Sequence, residues 1–404
     1  MRQPLRLILG DPTLRMSAAA VALFGALVAS VTPYQSLVAI RLFDLSDGAY
    51  AAILVAAALV SVGGAVAAGI ATDRTTARKR VALGSALLLV AGYGAVLVAP
   101  GPVTFVLAHA VLLPAGGALM GQLFALARLA TSTTSARDRD SVLAAIRALF
   151  AVPFLVVLPL WAVAFDRGAG LLAIYGAMVP VSLGLLALIL RAWPPDGHGR
   201  WTETRSGLSS AASLREMAAP GVLVRVALTG GIMSGVFVYM IVLGLVFDES
   251  TGRDLGDVAL FAGLIAGLEV PVMLGIGQLL RILSRMQAIA LGAMTYAGFL
   301  FVFPILLPSP LVWLLTIPAA LGAGIILSLP IGYVQDLMGD RAGAGGALLA
   351  LQKVAGDAVA AVVFAGAAWW GGYAAAAVMA GLAMLAATAA LLWLDRRSAT
   401  AVPR

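Results

Sequence analysis

A chain of 404 residues that is 62% hydrophobic and only 11% charged, with a mean hydropathy of +1.02, is too apolar to be a soluble domain. Its net charge of +7 would suit a nucleic-acid partner, but the placement of the cations excludes that reading. Cysteine is absent, which removes disulfides and thiol chemistry, and two histidines with scattered acids leave no catalytic triad or metal-ligand set, so no enzyme and no cofactor are expected.

Crossing the hydrocarbon core takes roughly 20 apolar residues per helix. The sequence supplies twelve such runs: 16–40, 50–71, 81–99, 103–127, 142–165, 171–190, 222–247, 258–280, 288–307, 311–337, 345–368 and 373–394. They are long and lack dyad alternation, which reads as helices and not as a barrel. The run after the Arg-containing start is too long for a signal-peptide core and has no clear cleavage site, so a retained first span is expected. The predicted fold class is therefore an all-α integral membrane protein of twelve transmembrane helices.

Most connections are short. The exception is 191–221, with Trp193-Pro194-Pro195-Asp196-Gly197 and a Ser/Thr/Gly-rich tract, which divides the chain into a six-helix half (1–190), a central loop and a second six-helix half (222–404). Ser213-Leu214-Arg215-Glu216 fits a capping box ahead of the seventh span. Two such halves predict a site near mid-membrane at their junction. With both termini cytoplasmic, 20 of the 26 Lys/Arg fall on the cytoplasmic side and only Arg41, Arg167 and Arg253 outside. This positive-inside bias makes basicity a topology signal and predicts a multi-pass protein of the cell membrane, the inner membrane in a bacterium. Trp161, Trp313, Trp369, Trp370 and Trp393 fall at span ends, as an interfacial belt would.

Few ionisable groups lie deep in the spans: Arg147, Glu269, Lys353 and Asp357, with His109 as a fifth. A charge at the centre of a lipid-spanning helix costs about 2.5–3.5 kcal/mol on insertion scales, so such residues point to function or to pairing. At 1.5 Å per residue, Glu269 lies roughly 18 Å below the outer end of span eight and Arg147 roughly 10–14 Å above the inner end of span five. In a core of about 30 Å these depths coincide to within a turn, which permits an Arg147–Glu269 pair if the two spans touch. Lys353 and Asp357 are spaced i,i+4 and share a helix face. Either pair serves as a neutralised packing lock, or a carboxylate exchanges a proton as a cavity alternates between the two membrane faces. Glu269 is the stronger candidate because Pro271 bends its helix. His109 is expected to hydrogen-bond between helices, with proton carriage as the alternative, and it is also a candidate to bind the solute. Tyr34, Gln35, Gln122, Ser234, Tyr239 and Gln335, in spans one, four, seven and ten, are candidates to bind a neutral solute, as are Ser328 and Tyr333.

Between spans two and three the chain reads Gly69-Ile70-Ala71-Thr72-Asp73-Arg74-Thr75-Thr76-Ala77-Arg78-Lys79-Arg80. This resembles the loop signature of the major facilitator superfamily, though it lacks the second glycine and carries an extra residue before the basic pair. Gly69, Asp73, Arg74 and Arg78 then become candidates for a loop that locks one conformation. Gly121-Gln122-Leu123-Phe124-Ala125-Leu126-Ala127-Arg128, Gly267-Leu268-Glu269-Val270-Pro271 and Tyr333-Val334-Gln335-Asp336-Leu337-Met338 running to Arg341 resemble the sugar efflux transporters of that superfamily. Glu269 and Arg147 fall where that family's pattern also has Glu and Arg; Lys353 and Asp357 do not match it. The resemblance implies proton-driven export of small saccharides or glycosides by a monomer, with spans one, four, seven and ten around the cavity and spans five and eight in contact. A multidrug antiporter, a saccharide:proton symporter and a non-transporting sensor are the alternatives.

Overall fold

The computed structural model describes residues 2–75, 78–132, 134, 136–195, 219–337 and 342–400. Helices and the turns that join them make up these residues, with no strand among them. A short amphipathic helix α1 (Arg2–Gly10) leads into α2 (Pro12–Leu42), α3 (Asp47–Thr75), α4 (Arg78–Val98), α5 (Pro102–Ala130), α6 (Ala136–Asp166) and α7 (Ala173–Ala192). After the central segment come α8 (Pro220–Asp248), α9 (Leu255–Leu279), α10 (Arg285–Leu306), α11 (Pro310–Val334), α12 (Ala342–Trp370) and α13 (Gly372–Thr400). Among the described residues, eleven helices are long and apolar enough to cross a membrane; α12, which covers predicted span eleven and carries Lys353 and Asp357, is not in that count.

Helices outrun the predicted spans at their polar ends, because hydropathy marks where lipid stops and not where helix propensity stops. The largest such difference concerns the stretch 69–80. It was expected to be a loop, yet α3 continues to Thr75 and α4 begins at Arg78. The segment lacks the second glycine of the signature and any proline, so helix can extend into it from both sides.

The chain folds as two compact units, Met1–Leu45 with Ala56–Gly207, and Ser46–Val55 with Leu208–Arg404. Hydropathy does not foresee that the start of α3 joins the second unit. Its anchors there are Tyr373, whose hydroxyl donates to Asp47 at 2.7 Å, and Phe364, whose ring meets Tyr50 edge-on at 5.6 Å.

Within each unit the first long helix is the most enclosed: 67% of the apolar window of α2 is buried and 83% of that of α8. In the first unit α2 packs most extensively on α6, and in the second α8 packs on α12 and α13. Large apolar side chains such as Leu59, Val98, Leu160, Ile282 and Ile305 are left exposed, as lipid-facing positions should be. Trp369, Trp370 and Trp393 are likewise exposed, whereas Trp161 is buried against Phe165. Trp193, expected in the central loop, is buried at the C-terminus of α7, where the Lys79 ammonium donates to the carbonyls of Leu190 (3.0 Å) and Trp193 (3.2 Å). A basic residue counted as a topology signal thus also caps a helix end.

The connection between α10 and α11 is held by one side chain. Arg253 donates to the carbonyls of Leu307 (2.9 Å) and Ser309 (2.8 Å), lies 3.5 Å from Asp257 and sits 5.8 Å over the Trp313 ring. Arg253→Ala strands two carbonyls and one carboxylate. It is expected to destabilise the second unit by about 1–3 kcal/mol, read as a lowered thermal midpoint in detergent. Arg253→Lys should recover only part of that loss, because an ammonium cannot reach two carbonyls with a rigid fork.

Candidate functional site

Three of the four helices expected around a cavity, α2, α5 and α11, are interrupted, and proline supplies the cause each time. Pro33 withholds the N–H that would bond to the Ala29 carbonyl, and a 3-10 turn follows at Thr32–Tyr34. Pro114 does the same to Ala110, which sits in a π-helical turn at Ala108–Leu112. Pro330 frees the Ile326 carbonyl where α11 breaks between Thr316–Ile326 and Leu329–Asp336. Non-helical backbone at membrane depth persists only where protein or water covers it.

Glu269 lies on α9, two residues before Pro271, whose missing N–H leaves the Gly267 carbonyl without its helical partner. It is half-buried and makes no hydrogen bond or ion pair with any described residue. Its helix is pressed against α11: a methyl on Gly324 would sit 2.9 Å from Val272 Cγ1 and 3.4 Å from the Glu269 carbonyl oxygen. Tyr239 on α8 and Tyr296 on α10 both interact electrostatically with the Glu269 carboxyl. Their rings belong to an aromatic nest in which Tyr239 meets Tyr296 at 6.4 Å, Phe299 at 5.4 Å and Phe303 at 6.0 Å. The Tyr239 hydroxyl is buried and has no hydrogen-bond partner among the described residues. A carboxyl without a counter-ion among the described residues, within electrostatic reach of an unsatisfied phenol, is a place where a proton or a polar solute group can be taken up.

Arg147 belongs to the first unit. It is exposed on α6, with its guanidinium 5.7 Å from the centre of the Phe124 ring on α5. In the second unit, Lys353 and Asp357 form an ion pair at 2.5 Å, and the ammonium lies 5.5 Å over the Phe237 ring of α8. Lys353 is 58% exposed although it lies mid-helix in an apolar segment, so its end of the pair faces open space. Gln352 beside it is buried, with no partner for its amide nitrogen among the described residues. This residue escaped the sequence reading; a lone amide directly before the mid-span Lys353 was the available signal.

The other candidates divide. Gln122 is buried with its carbonyl oxygen unsatisfied, which leaves it able to receive a donor. Gln35 is half-buried. Ser234 is fully buried and donates to the Gly231 carbonyl at 2.7 Å, and Tyr34 is fully buried with its ring edge-on to Phe165 at 5.0 Å. His109 is buried between α5 and α7, bonded to the Tyr175 hydroxyl at 2.8 Å and stacked on Phe105 at 4.2 Å. These contacts occupy the ring as a helix–helix tie. Arg78 opens α4 and has a partner. Gly69, Asp73 and Arg74 fall on α3 and Gln335 in the helical segment Leu329–Asp336, but their side chains lie outside the described residues, as do Met338, Arg341 and the capping box at Ser213.

Two further charge clusters were not foreseen. Arg225 on α8 pairs with Asp395 on α13 at 3.2 Å, and the Tyr333 hydroxyl donates to the same carboxylate oxygen at 2.9 Å. Tyr333 is thereby a helix tie. Asp336, part of the 333–341 motif, pairs with Arg285 at the start of α10.

Comparison with known proteins agrees with this architecture. The model of the Major Facilitator Superfamily matches residues 16–361. The chain belongs to that superfamily. It is accordingly a multi-pass membrane transporter, not an enzyme. Among solved structures it is similar to an auto-inhibited peptide transporter of the POT family, with TM-score 0.76 and 13% identity over 96% of this chain and 97% of the other. It is also similar to the nucleoside transporter NupG, with TM-score 0.70 and 14% identity over 98% and 99% of the two chains. At such identities the likeness is one of fold. None of the curated proteins matches the chain in sequence.

Proposed function

We propose that this superfamily member is a proton-coupled secondary transporter that exports small sugars or glycosides by alternating access, with Glu269 as the coupling carboxylate. The observation that carries the reading is Glu269 itself: an acid in an apolar helix, beside a proline, without a counter-ion among the described residues and within electrostatic reach of two tyrosines. Such a group is costly to keep in a membrane unless it exchanges a proton or meets a solute. In this reading the chain crosses the membrane twelve times as two six-helix halves, 1–190 and 222–404, joined by a cytoplasmic segment. α12 is the eleventh crossing and both termini are cytoplasmic. The breaks in α2, α5 and α11 favour those helices, with α8, as cavity walls. Gln122, Gln35 and Tyr239 supply hydrogen-bonding groups, and Arg147 is the cation that meets or releases Glu269 as the halves rock. Gly69, Asp73, Arg74 and Arg78 stabilise one of the two states. The protein works as a monomer in the cell membrane, the inner membrane in a bacterium.

The test is solute-driven proton movement in proteoliposomes under an imposed pH gradient. The panel comprises mono- and disaccharides, glycosides, di- and tripeptides, nucleosides and lipophilic cations; peptides and nucleosides are included because the similar structures carry those names. Saccharides or glycosides should move protons. A response confined to lipophilic cations would assign a multidrug antiporter, a reading that the aromatic nest around Tyr239 favours. No proton movement with any solute would remove the coupling role altogether.

A further inference from the structure

Away from the candidate cavity, α1, α2 and α6 enclose an apolar pocket of about 410 Å³ lined by Leu5, Ile8 and Leu9 from α1, Arg15 and Ala18 from α2, and Ala145 and Leu149 from α6. The pocket wall is apolar, and Arg15, an exposed residue, borders it. α1 is too short to cross a membrane, yet it leaves Leu5 and Leu9 50% and 65% exposed while Ile8 turns inward. Arg6 is exposed three residues before Leu9 and therefore borders the same helix face. Neither Arg6 nor Arg15 forms an ion pair with any described residue, and the Asp11 carboxylate is engaged by the Thr13 and Leu14 backbone amides as the cap of α2.

An amphipathic helix of this kind lies in the plane of the membrane surface, its apolar side at the acyl boundary and its cations at headgroup level. The apolar ligand present at that level in any membrane is a lipid chain, and the charge beside the pocket selects for a negative headgroup. We infer that this pocket binds an anionic phospholipid, one acyl chain lying against Ile8, Ala18, Ala145 and Leu149 and the headgroup phosphate on Arg15 and Arg6. A seated lipid cross-links α1 to the α2–α6 pair, the most extensive contact that α2 makes. The inference needs neither the identity of the solute nor the role of Glu269.

The experiment is native mass spectrometry of the full-length protein in detergent, titrated with phosphatidylglycerol or with phosphatidylcholine of identical chains. Phosphatidylglycerol should be retained preferentially. Arg15→Gln should lower its retention about fivefold, the worth of one basic residue at an anionic surface, and erase most of the preference. Ala145→Phe fills the pocket without touching charge and should lower retention of both lipids. Arg6→Gln, a change on the exposed face, keeps the charge arm intact should Ala145→Phe fail to elute as a monodisperse species. Equal retention of the two lipids, unchanged retention in both Arg variants, or full competition by inorganic phosphate would each overturn the inference.

Discussion

Glu269→Gln is expected to abolish accumulation of substrate against a gradient while leaving energy-independent exchange of substrate across the membrane. The amide keeps the shape of the side chain and can still hydrogen-bond, but it cannot carry a proton, so a proton gradient can no longer do work on the solute. Burial loses nothing by the change. No cation of the second unit relies on Glu269, since it makes no ion pair with any described residue there, and removing an intramembrane charge lowers an insertion cost of about 2.5–3.5 kcal/mol. The variant should therefore melt no lower than the parent in detergent, which separates a coupling defect from misfolding. Two measurements decide it: uphill uptake into proteoliposomes under an imposed pH gradient, and counterflow exchange without one. If uphill uptake keeps its normal pH dependence, Glu269 is structural. Asp357 then becomes the residue to test, since its ion-pair partner among the described residues is Lys353 and that cation faces open space.

The parts of this protein that were legible in its sequence are those encoded within one helix. Apolar runs gave the helices, Pro33, Pro114 and Pro330 fall where α2, α5 and α11 break, and the i,i+4 spacing of Lys353 and Asp357 closes as an ion pair. Glu269 stood out because composition alone makes an acid in such a run conspicuous. What the sequence hid depends on partners far along the chain. Asp395 meets Arg225 across 170 positions, Lys79 reaches Leu190 across 111, and no local pattern marks either. Tyr333 looked like a solute ligand as a polar side chain in span ten, and only the fold shows its hydroxyl spent on Asp395. The helical continuation through Thr75 was missed for a different reason: a hydropathy window ends at the membrane surface, whereas backbone hydrogen bonding does not.

The packing repeats one device in both units, and it makes Gly230→Ala the most destabilising small change expected in the second unit. In each unit the first long helix presses a glycine onto the helix that bears the mid-span cation. Gly25 of α2 lies against the Phe150 backbone of α6, three residues after Arg147, and Gly230 of α8 lies against Gln352 and Gly356 of α12, which bracket Lys353. A methyl on Gly230 would come within 2.5 Å of the Gln352 carbonyl oxygen and 2.9 Å of the Gly356 nitrogen. Both are backbone atoms, so no rotamer change relieves the overlap and the helices must separate. Overpacking of that kind costs typically about 1–3 kcal/mol and sometimes more, against a gain in helix propensity of about 1 kcal/mol or less. Gly298→Ala on α10 is the control, because nothing lies within 4 Å of the added methyl, and it should melt at or above the parent. Thermal unfolding in detergent reads both. Separation of α8 from α12 would also move Phe237 away from Lys353, so Gly230→Ala should slow transport even at temperatures where it stays folded. A variant that melts like Gly298→Ala would show that the crossing has slack, and the correspondence between the two units would then rest on the positions of Arg147 and Lys353 alone.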